Sequence, residues 1–216
     1  IGCGTGRILL ELAYEGLDVT GIDNAPSMLQ IAQDKAEDDE LDITLLEMDF
    51  TQLELTSSYA FIFSGFNSLQ HLLDDESMQL CLKGVYNHLL PGKAFAFDIT
   101  LHDPAILARS RGKHYETDVS GLHSADGREI QVTETYAYDS DTRISRMTWY
   151  YSTADNPEYR TDTTLVRQYS MDDMRYHLQK AGFTGIEIFG DFAKNPPKDF
   201  GKHVYVCRRP ESANSA

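Results

Sequence analysis

Three glycines, Gly2, Gly4 and Gly6, alternate with other residues at the start of the chain, and the acidic Asp23 follows a short apolar stretch farther on. Glycine lets the backbone turn sharply and approach a ligand closely. The start of a following helix offers unpaired N–H groups, and a carboxylate at the tip of the next strand can accept both hydroxyls of a ribose. These residues predict a nucleotide-type binding corner. Its G-x-G-x-G spacing is one residue tighter than the G-x-G-x-x-G of dinucleotide sites.

Two histidines are candidates for moving a proton. His71 follows the predicted strand 59–63, and His102 follows the predicted strand 95–99. A neutral imidazole beside a reacting group can take a proton at ordinary pH, and His71 is the first candidate for that role. Structural roles are the alternative: His71 packed against the sheet at a helix start, and His102 in a loop.

The elements that would position these residues alternate between helix and strand. Residues 5–15 place their apolar side chains on one helical face, and residues 17–22 alternate as a strand that ends at Asp23. Further strands are predicted at 43–48, 59–63 and 95–99, with helices that begin near Pro26 and Asp74. This alternation predicts an α/β fold that binds its ligand at the carboxyl ends of parallel strands.

The residue pattern changes after residue 110. Period-two segments at 129–136, 144–151 and 163–169 predict a small antiparallel sheet. Its aromatic side chains suit either a pocket wall or a dimer interface. We therefore expect a core at 1–110, an insert at 111–170 that covers substrate or dimerises, and a C-terminal helix and strand hairpin at 171–210 that complete the core sheet.

Composition narrows the function classes. The net charge of −15 is concentrated in residues 1–104, which carry 18 acidic and 4 basic side chains, so a nucleic-acid substrate is disfavoured. Three scattered cysteines predict neither a disulfide framework nor a metal site and suit a reducing cytoplasm. No apolar run approaches the roughly 18 residues of a membrane span. The chain opens inside the first predicted strand, so we expect a further N-terminal segment.

The glycine motif, with Cys3 and Thr5 between the glycines, resembles motif I of the class I S-adenosylmethionine (SAM)-dependent methyltransferases. The segment from Asp23 to Leu29 is similar to that family's D-x-S-x-x-M-L stretch, with Ala25 where a serine is usual. The resemblance implies a Rossmann-like, doubly wound, mostly parallel seven-stranded sheet, with the antiparallel β insert after strand five.

The resemblance also implies SAM as cofactor and S-adenosylhomocysteine as product. Asp23 would bind the ribose, Asp49 the adenine amino group, and the backbone N–H of Phe50 a ring nitrogen. The segment after strand four would place the methionine part of SAM. The cofactor-binding residues predicted in this way are Gly2, Cys3, Gly4, Gly6, Asp23, Asn24, Met28, Asp49, Phe50, Ser64, Gly65 and Phe66.

The insert resembles small-molecule N- and O-methyltransferases, including the glycine and sugar-amine N-methyltransferase groups. That resemblance implies in-line transfer of a methyl group to N or O of a small polar molecule. A hydroxyl acceptor would need a general base, whereas an amine need only arrive unprotonated. Two alternatives stay open: a SAM-fold binding protein or partner subunit without catalysis and, on weaker grounds, a NAD-linked oxidoreductase.

Overall fold

The computed structural model describes residues 1–124 and 126–211, which form two compact units. One unit comprises Ile1–Thr100 and the chain from Ser170 onward, and the other comprises Leu101–Tyr169. The elements in chain order are α1 (Arg7–Tyr14), β1 (Thr20–Asp23), α2 (Pro26–Asp38), β2 (Thr44–Glu47), β3 (Tyr59–Ser64), a 3-10 helix (Ser68–His71), α3 (Asp75–His88), β4 (Leu89–Leu101), α4 (Pro104–Leu107), β5 (Tyr115–Glu116), β6 (Gln131–Asp139), β7 (Ile144–Thr153), β8 (Asn156–Arg167), α5 (Met171–Ala181), β9 (Thr184–Phe189) and β10 (Gly201–Arg208).

Helix ends in the first unit follow local capping chemistry. Asp74 caps α3 by accepting a hydrogen bond from the Ser77 backbone N–H at 2.7 Å. The Ser170 side chain and Asp173 form a reciprocal capping box at the start of α5. Gly182 ends α5 in a left-handed conformation with φ 102°. The predicted helices and their stops therefore arise from residues within one turn of each boundary.

The strand pairing differs from the single seven-stranded sheet that the sequence predicts. β1 and β2 pair in parallel as a two-stranded sheet, and a mixed four-stranded sheet has the order β3-β4-β10-β9. The first residues link the two sheets: the Ile1 amine donates to the Phe63 carbonyl at 2.7 Å, and the Cys3 N–H donates to the Ile22 carbonyl at 3.0 Å. A single hydrogen bond to β3 and a single one to β1 do not make residues 1–3 a strand. The predicted sheet is therefore divided between β1 and β3.

The core of the mixed sheet is aromatic. Phe97 of β4 stacks on Tyr205 of β10 with ring centroids 4.7 Å apart, and Phe95 lies 5.9 Å from Phe183. All four rings are buried. β3 and β4 run parallel, with Phe63 opposite Ala96 and Ser64 opposite Phe97, so their carboxyl ends reach the same sheet edge.

The second unit is an antiparallel sheet with the order β5-β6-β7-β8. β6 and β7 pair continuously from Gln131↔Ser152 to Asp139↔Ile144. The unit begins at Leu101 rather than at residue 111 as predicted from sequence. The reason is that α4 packs on β6, and Arg109 forms a 2.5 Å ion pair with Glu134 of that strand.

No helix within the described ranges 1–124 and 126–211 has both the length and the apolar character that a membrane crossing requires.

Candidate cofactor site

The three glycines of the opening turn all have positive φ, at 67°, 54° and 79°, but for different reasons. A Cβ on Gly2 would lie 2.7 Å from the Ser68 hydroxyl, and one on Gly6 would lie 3.1 Å from the Ala32 side chain. A Cβ on Gly4 would meet no atom within 4 Å. Gly2 and Gly6 thus allow protein packing, whereas Gly4 leaves backbone exposed to open space that a ligand can approach.

Asp23 holds this turn in place. Its Oδ2 accepts a hydrogen bond from the Gly4 N–H at 2.7 Å, and its Oδ1 accepts one from the Ala25 N–H at 3.0 Å. Each carboxylate oxygen has a second lone pair, so the group can accept two further donors. The glycine turn and the end of β1 are therefore joined through this carboxylate, and its contact with a ribose stays a prediction.

A cavity of about 370 Å³ opens beside the turn. Among the predicted residues its wall includes Gly2, Cys3, Gly4, Gly65 and Phe66. Burial, followed by the charge of Asp23, raises the pKa of the Cys3 thiol, so this wall residue stays uncharged.

Arg7 is a wall residue that the sequence analysis did not identify. Its guanidinium lies 3.8 Å from the centroid of the Phe66 ring, in a cation–π contact. It is the first residue of α1, and its partner lies on a distant loop, so no local pattern could have indicated the pair.

The loop that follows β3 carries positive φ at two non-glycine residues, Phe66 at 56° and Asn67 at 62°. Such conformations cost on the order of 1–3 kcal/mol each and persist only where neighbours enforce them. The buried Asp98 accepts a hydrogen bond from the Phe66 N–H at 2.9 Å, and the Thr100 hydroxyl donates to the side-chain Oδ1 of Asn67 at 2.9 Å. Lys202 in turn donates to Asp98 at 2.7 Å.

The 3-10 helix after this loop is fixed through a glutamine. Gln70 accepts a hydrogen bond from the Thr100 N–H at 2.9 Å and donates one to the Thr100 carbonyl at 3.1 Å. His71 ends the 3-10 helix with an exposed side chain. Gln70 therefore joins the loop to the end of β4, a role that the sequence analysis did not assign.

Several predicted binding residues lie outside the cavity wall as described for residues 1–124 and 126–211. Asp49 is exposed and caps its own turn, accepting at 2.8 Å from both the N–H and the hydroxyl of Thr51. Met28 is 43% exposed on α2. The structure places the others as follows: Asp23 half-buried at the end of β1, Asn24 exposed after β1, Phe50 half-buried after Asp49, Ser64 buried at the end of β3, and Gly6 buried at the N-cap of α1. Their contacts with the cofactor stay predictions.

His102 lies at the start of the second unit with its ring half-buried. Its Nδ1 lies 2.6 Å from the hydroxyl of Tyr136. Burial lowers the pKa of His102, partly opposed by the charge of Glu134. Within the described part of the chain, no group of three or more His, Cys, Asp or Glu side chains is arranged to hold a metal ion.

Residues 1–92 match a family model described as a methyltransferase domain. A putative methyltransferase from Geobacillus sp. (strain WCH70) is 28% identical over 212 residues, which are 97% of this chain and 82% of that relative. Two solved structures share the fold over 97% of this chain. They are the CcbJ methyltransferase of Streptomyces caelestis (TM-score 0.83, 21% identity, 81% of that chain) and the sugar N-methyltransferase KedS8 of Streptoalloteichus sp ATCC 53650 (TM-score 0.75, 18% identity, 78% of that chain).

The fold and the turn are those of a class I methyltransferase. Residues 1–92 thus match a methyltransferase domain, and the likeness to methyltransferases along 97% of the chain supports a SAM-dependent methyltransferase with SAM as cofactor. These findings support the enzyme class predicted from the sequence and favour it over a NAD-linked oxidoreductase.

The site fits SAM on two structural observations. The backbone at Gly4 is uncovered on the side where a Cβ would stand, so a ligand can approach it within van der Waals distance. The Asp23 carboxylate is held by two backbone donors and retains acceptor capacity for ribose hydroxyls.

Proposed function

We propose that this enzyme transfers the methyl group of SAM to an amine nitrogen of a small polar molecule, by in-line displacement. The observation that carries the SAM part is the hydrogen bond from Gly4 to Asp23, which unites the glycine turn with the ribose acceptor. The amine is supported by the sugar N-methyltransferase whose fold matches 97% of this chain.

In this proposal Asp23 accepts the ribose hydroxyls, and the open backbone at Gly4 lies against the cofactor. Asp49 and Phe50 receive the adenine, and Gly65 and Phe66 border the methionine part. SAM supplies a methyl group already activated on a sulfonium. The protein therefore has to bind both reactants, align them and keep water away.

Alignment is the main contribution expected of the chain. Holding two reactants in an attack geometry can account for about 7–11 kcal/mol of a barrier. An amine has a lone pair once it has lost its proton, so no strong base is required for attack. His71 and His102 are the candidates to accept a proton from the methyl acceptor or to orient it. The hydrogen bond between His102 and Tyr136 favours His102 over His71 for this role.

Calorimetric titration of SAM tests the cofactor assignment. Asp23→Asn keeps the shape of the side chain but removes the charge and turns an NH₂ group toward the N–H of Gly4 or Ala25, so its melting temperature is measured alongside. Loss of charged hydrogen bonds worth about 1.5–3 kcal/mol predicts a Kd roughly 10- to 150-fold weaker. Asp18→Asn is the matched control, since Asp18 is exposed and precedes β1. Equal affinities in the two variants would remove Asp23 from the ribose site.

A paired acceptor panel tests the nitrogen. Small polar amines and hydroxyl analogues of the same skeleton are incubated with SAM, and S-adenosylhomocysteine is measured. We expect product from the amines alone. Product only from the hydroxyl analogues would move the methyl target to oxygen, and product from neither would contradict a small-molecule acceptor of this kind.

A further inference from the structure

The wall of the cofactor cavity carries one charged side chain, Arg7, among the residues described in 1–124 and 126–211. The other lining side chains are apolar, hydroxyl or thiol groups, and the Cys3 thiol stays uncharged. The Ile1 amine also borders the cavity, but it donates its hydrogen bond to the Phe63 carbonyl. An uncharged wall with a single cationic side chain favours a ligand that carries an anionic group at that place.

Arg7 has no carboxylate partner within the part of the chain that the structure describes, and its side chain is exposed. The other basic residues of 1–104 are Lys35, Lys83 and Lys93, and none of them lines the cavity. The 18 acidic side chains of the same segment repel an anion, so an anionic ligand group requires a local cation here. Arg7 is therefore a cation that is available to a ligand.

The place of Arg7 in α1 points to a ligand rather than to the helix. Arg7 is the first residue of α1, where a positive side chain opposes the helix dipole. The first turn holds no acidic residue, and the N-cap Gly6 supplies no side-chain hydrogen bond. A guanidinium in this position does not stabilise the helix, but together with the positive end of the dipole it attracts an anion.

The contact between Arg7 and Phe66 leaves the donors of the guanidinium available. The guanidinium carbon lies over the ring, 3.8 Å from its centroid. Stacking uses the face of the planar group, whereas its N–H donors point outward in the plane and match a carboxylate. The Phe66 N–H is itself bonded to the buried Asp98 at 2.9 Å. The stack therefore holds the guanidinium in place and reduces the side-chain entropy that is lost when it binds an anion.

We propose that Arg7 binds the α-carboxylate of the methionine part of SAM through paired N–H···O hydrogen bonds. The assignment rests on the proposed function, in which Gly65 and Phe66 border the methionine part. Arginine binds carboxylates with two parallel hydrogen bonds, which adds directional specificity to the charge attraction. Asp23 and Arg7 then recognise the ribose and the carboxylate with charges of opposite sign, which gives the cofactor one orientation.

Decarboxylated SAM is the probe, because it keeps the sulfonium and the amine of SAM and lacks only the carboxylate. Calorimetry on the native enzyme should give a Kd for decarboxylated SAM about tenfold or more above that for SAM. Arg7→Met removes the charge, so its two Kd values should become nearly equal through a loss of SAM affinity. The ratio of the two values is measured within one protein, so a loss of stability in the variant cannot imitate this result.

Lys35→Met is the matched control. Lys35 Nζ donates to the Thr5 carbonyl at 3.3 Å, so it is a cation beside the same turn but outside the cavity lining. Its ratio should stay native. Arg7→Lys keeps the charge without the planar group and should recover only part of the ratio. An equal change of the ratio in Lys35→Met and Arg7→Met would show a long-range charge effect and contradict a direct contact.

The remaining outcomes separate this assignment from the proposed function. Equal affinities of the native enzyme for SAM and decarboxylated SAM would overturn the role of Arg7, and the SAM site at Gly4 and Asp23 would stand. A native ratio in Arg7→Met, with only the acceptor KM raised, would place Arg7 on a carboxylate of the acceptor and overturn the assignment as well. Failure of the native enzyme to bind SAM would contradict the proposed function itself, and this assignment with it.

Discussion

Two turns border the cofactor cavity, and both contain left-handed backbone, but they achieve it in opposite ways. The opening turn uses Gly2, Gly4 and Gly6, for which positive φ has no steric cost. The loop after β3 uses Phe66 and Asn67, which are held there by Asp98 and Thr100. The first turn is thus determined by its own residues, and the second is determined by side chains more than thirty positions away.

The two turns should therefore respond to different substitutions. In the proposed site SAM would lie against the main chain of the glycine turn, so only substitutions that add a Cβ or remove Asp23 should matter. In the loop after β3 the backbone depends on partners outside the loop, so a change far along the chain should disturb the cavity. The following predictions test this division.

Asp98→Ala should have the largest effect on stability. The buried carboxylate supports the Phe66 N–H and pairs with Lys202, whose side chain is 35% exposed. Breaking a buried pair costs 3–5 kcal/mol, and the partial exposure of Lys202 places the expected loss near the lower value, about 3 kcal/mol. Urea unfolding measures it.

Asp98→Asn is the matched control for that prediction. Its amide oxygen can still accept from Phe66, so SAM affinity should be retained better than in Asp98→Ala. If Asp98→Ala unfolds within about 1 kcal/mol of the native chain, the loop after β3 does not depend on this side chain.

Gly4→Ala should mainly weaken SAM binding. Gly4 and Gly16 both have positive φ, at 54° and 76°, and a Cβ at either would meet no atom within 4 Å. Both alanine variants should lose about 1–2 kcal/mol of stability from backbone strain. Only Gly4 borders the cavity, so only Gly4→Ala should weaken SAM about tenfold or more in calorimetry. Equal SAM affinity in both variants would mean that the cofactor does not lie against the turn.

His102 gives a test in the second unit, through the pH dependence of stability. Burial lowers the pKa of His102 in the folded state, so below the unfolded value of about 6.5 the unfolded chain binds the additional proton. Its contribution to stability is therefore complete above that pH and is lost as the pH falls toward the lowered folded value. The melting temperature of the native chain should fall more between pH 7.5 and 5.5 than that of His102→Gln. Parallel curves would show that the folded ring titrates as it does in the unfolded chain.

Asn67→Gly should have the smallest effect. The variant relieves the left-handed strain at this residue and loses the hydrogen bond from Thr100, two effects of about 1 kcal/mol and opposite sign. Unfolding should stay within about 0.5 kcal/mol of the native value. A loss as large as that of Asp98→Ala would mean that the side chain, and not the backbone, organises this loop.

The sequence predicted the parts of the structure that short-range chemistry determines. The glycine turn, the position of Asp23 at the end of β1 and the caps of α3 and α5 all depend on nearby residues. Other contacts join residues far apart in the chain: Arg7 with Phe66, Gln70 with Thr100, and His102 with Gln168. Periodicity does not encode such pairs, because any exposed polar residue of a strand or loop has the same local pattern. The mostly parallel seven-stranded sheet was not confirmed for a related reason, since a hydrophobic pattern predicts strands but not their partners.

The main-chain hydrogen bonds of the opening segment also bear on the order of folding. The Cys3 N–H reaches β1, and the Ile1 amine reaches β3 across 62 positions of sequence. Closing so long a loop is slow compared with forming α1 or α2, because its entropy is lost before the contact forms. The glycine turn therefore takes its final shape only when β1 and β3 are both in place. A refolding chain should regain SAM affinity after its helices have formed and not together with them.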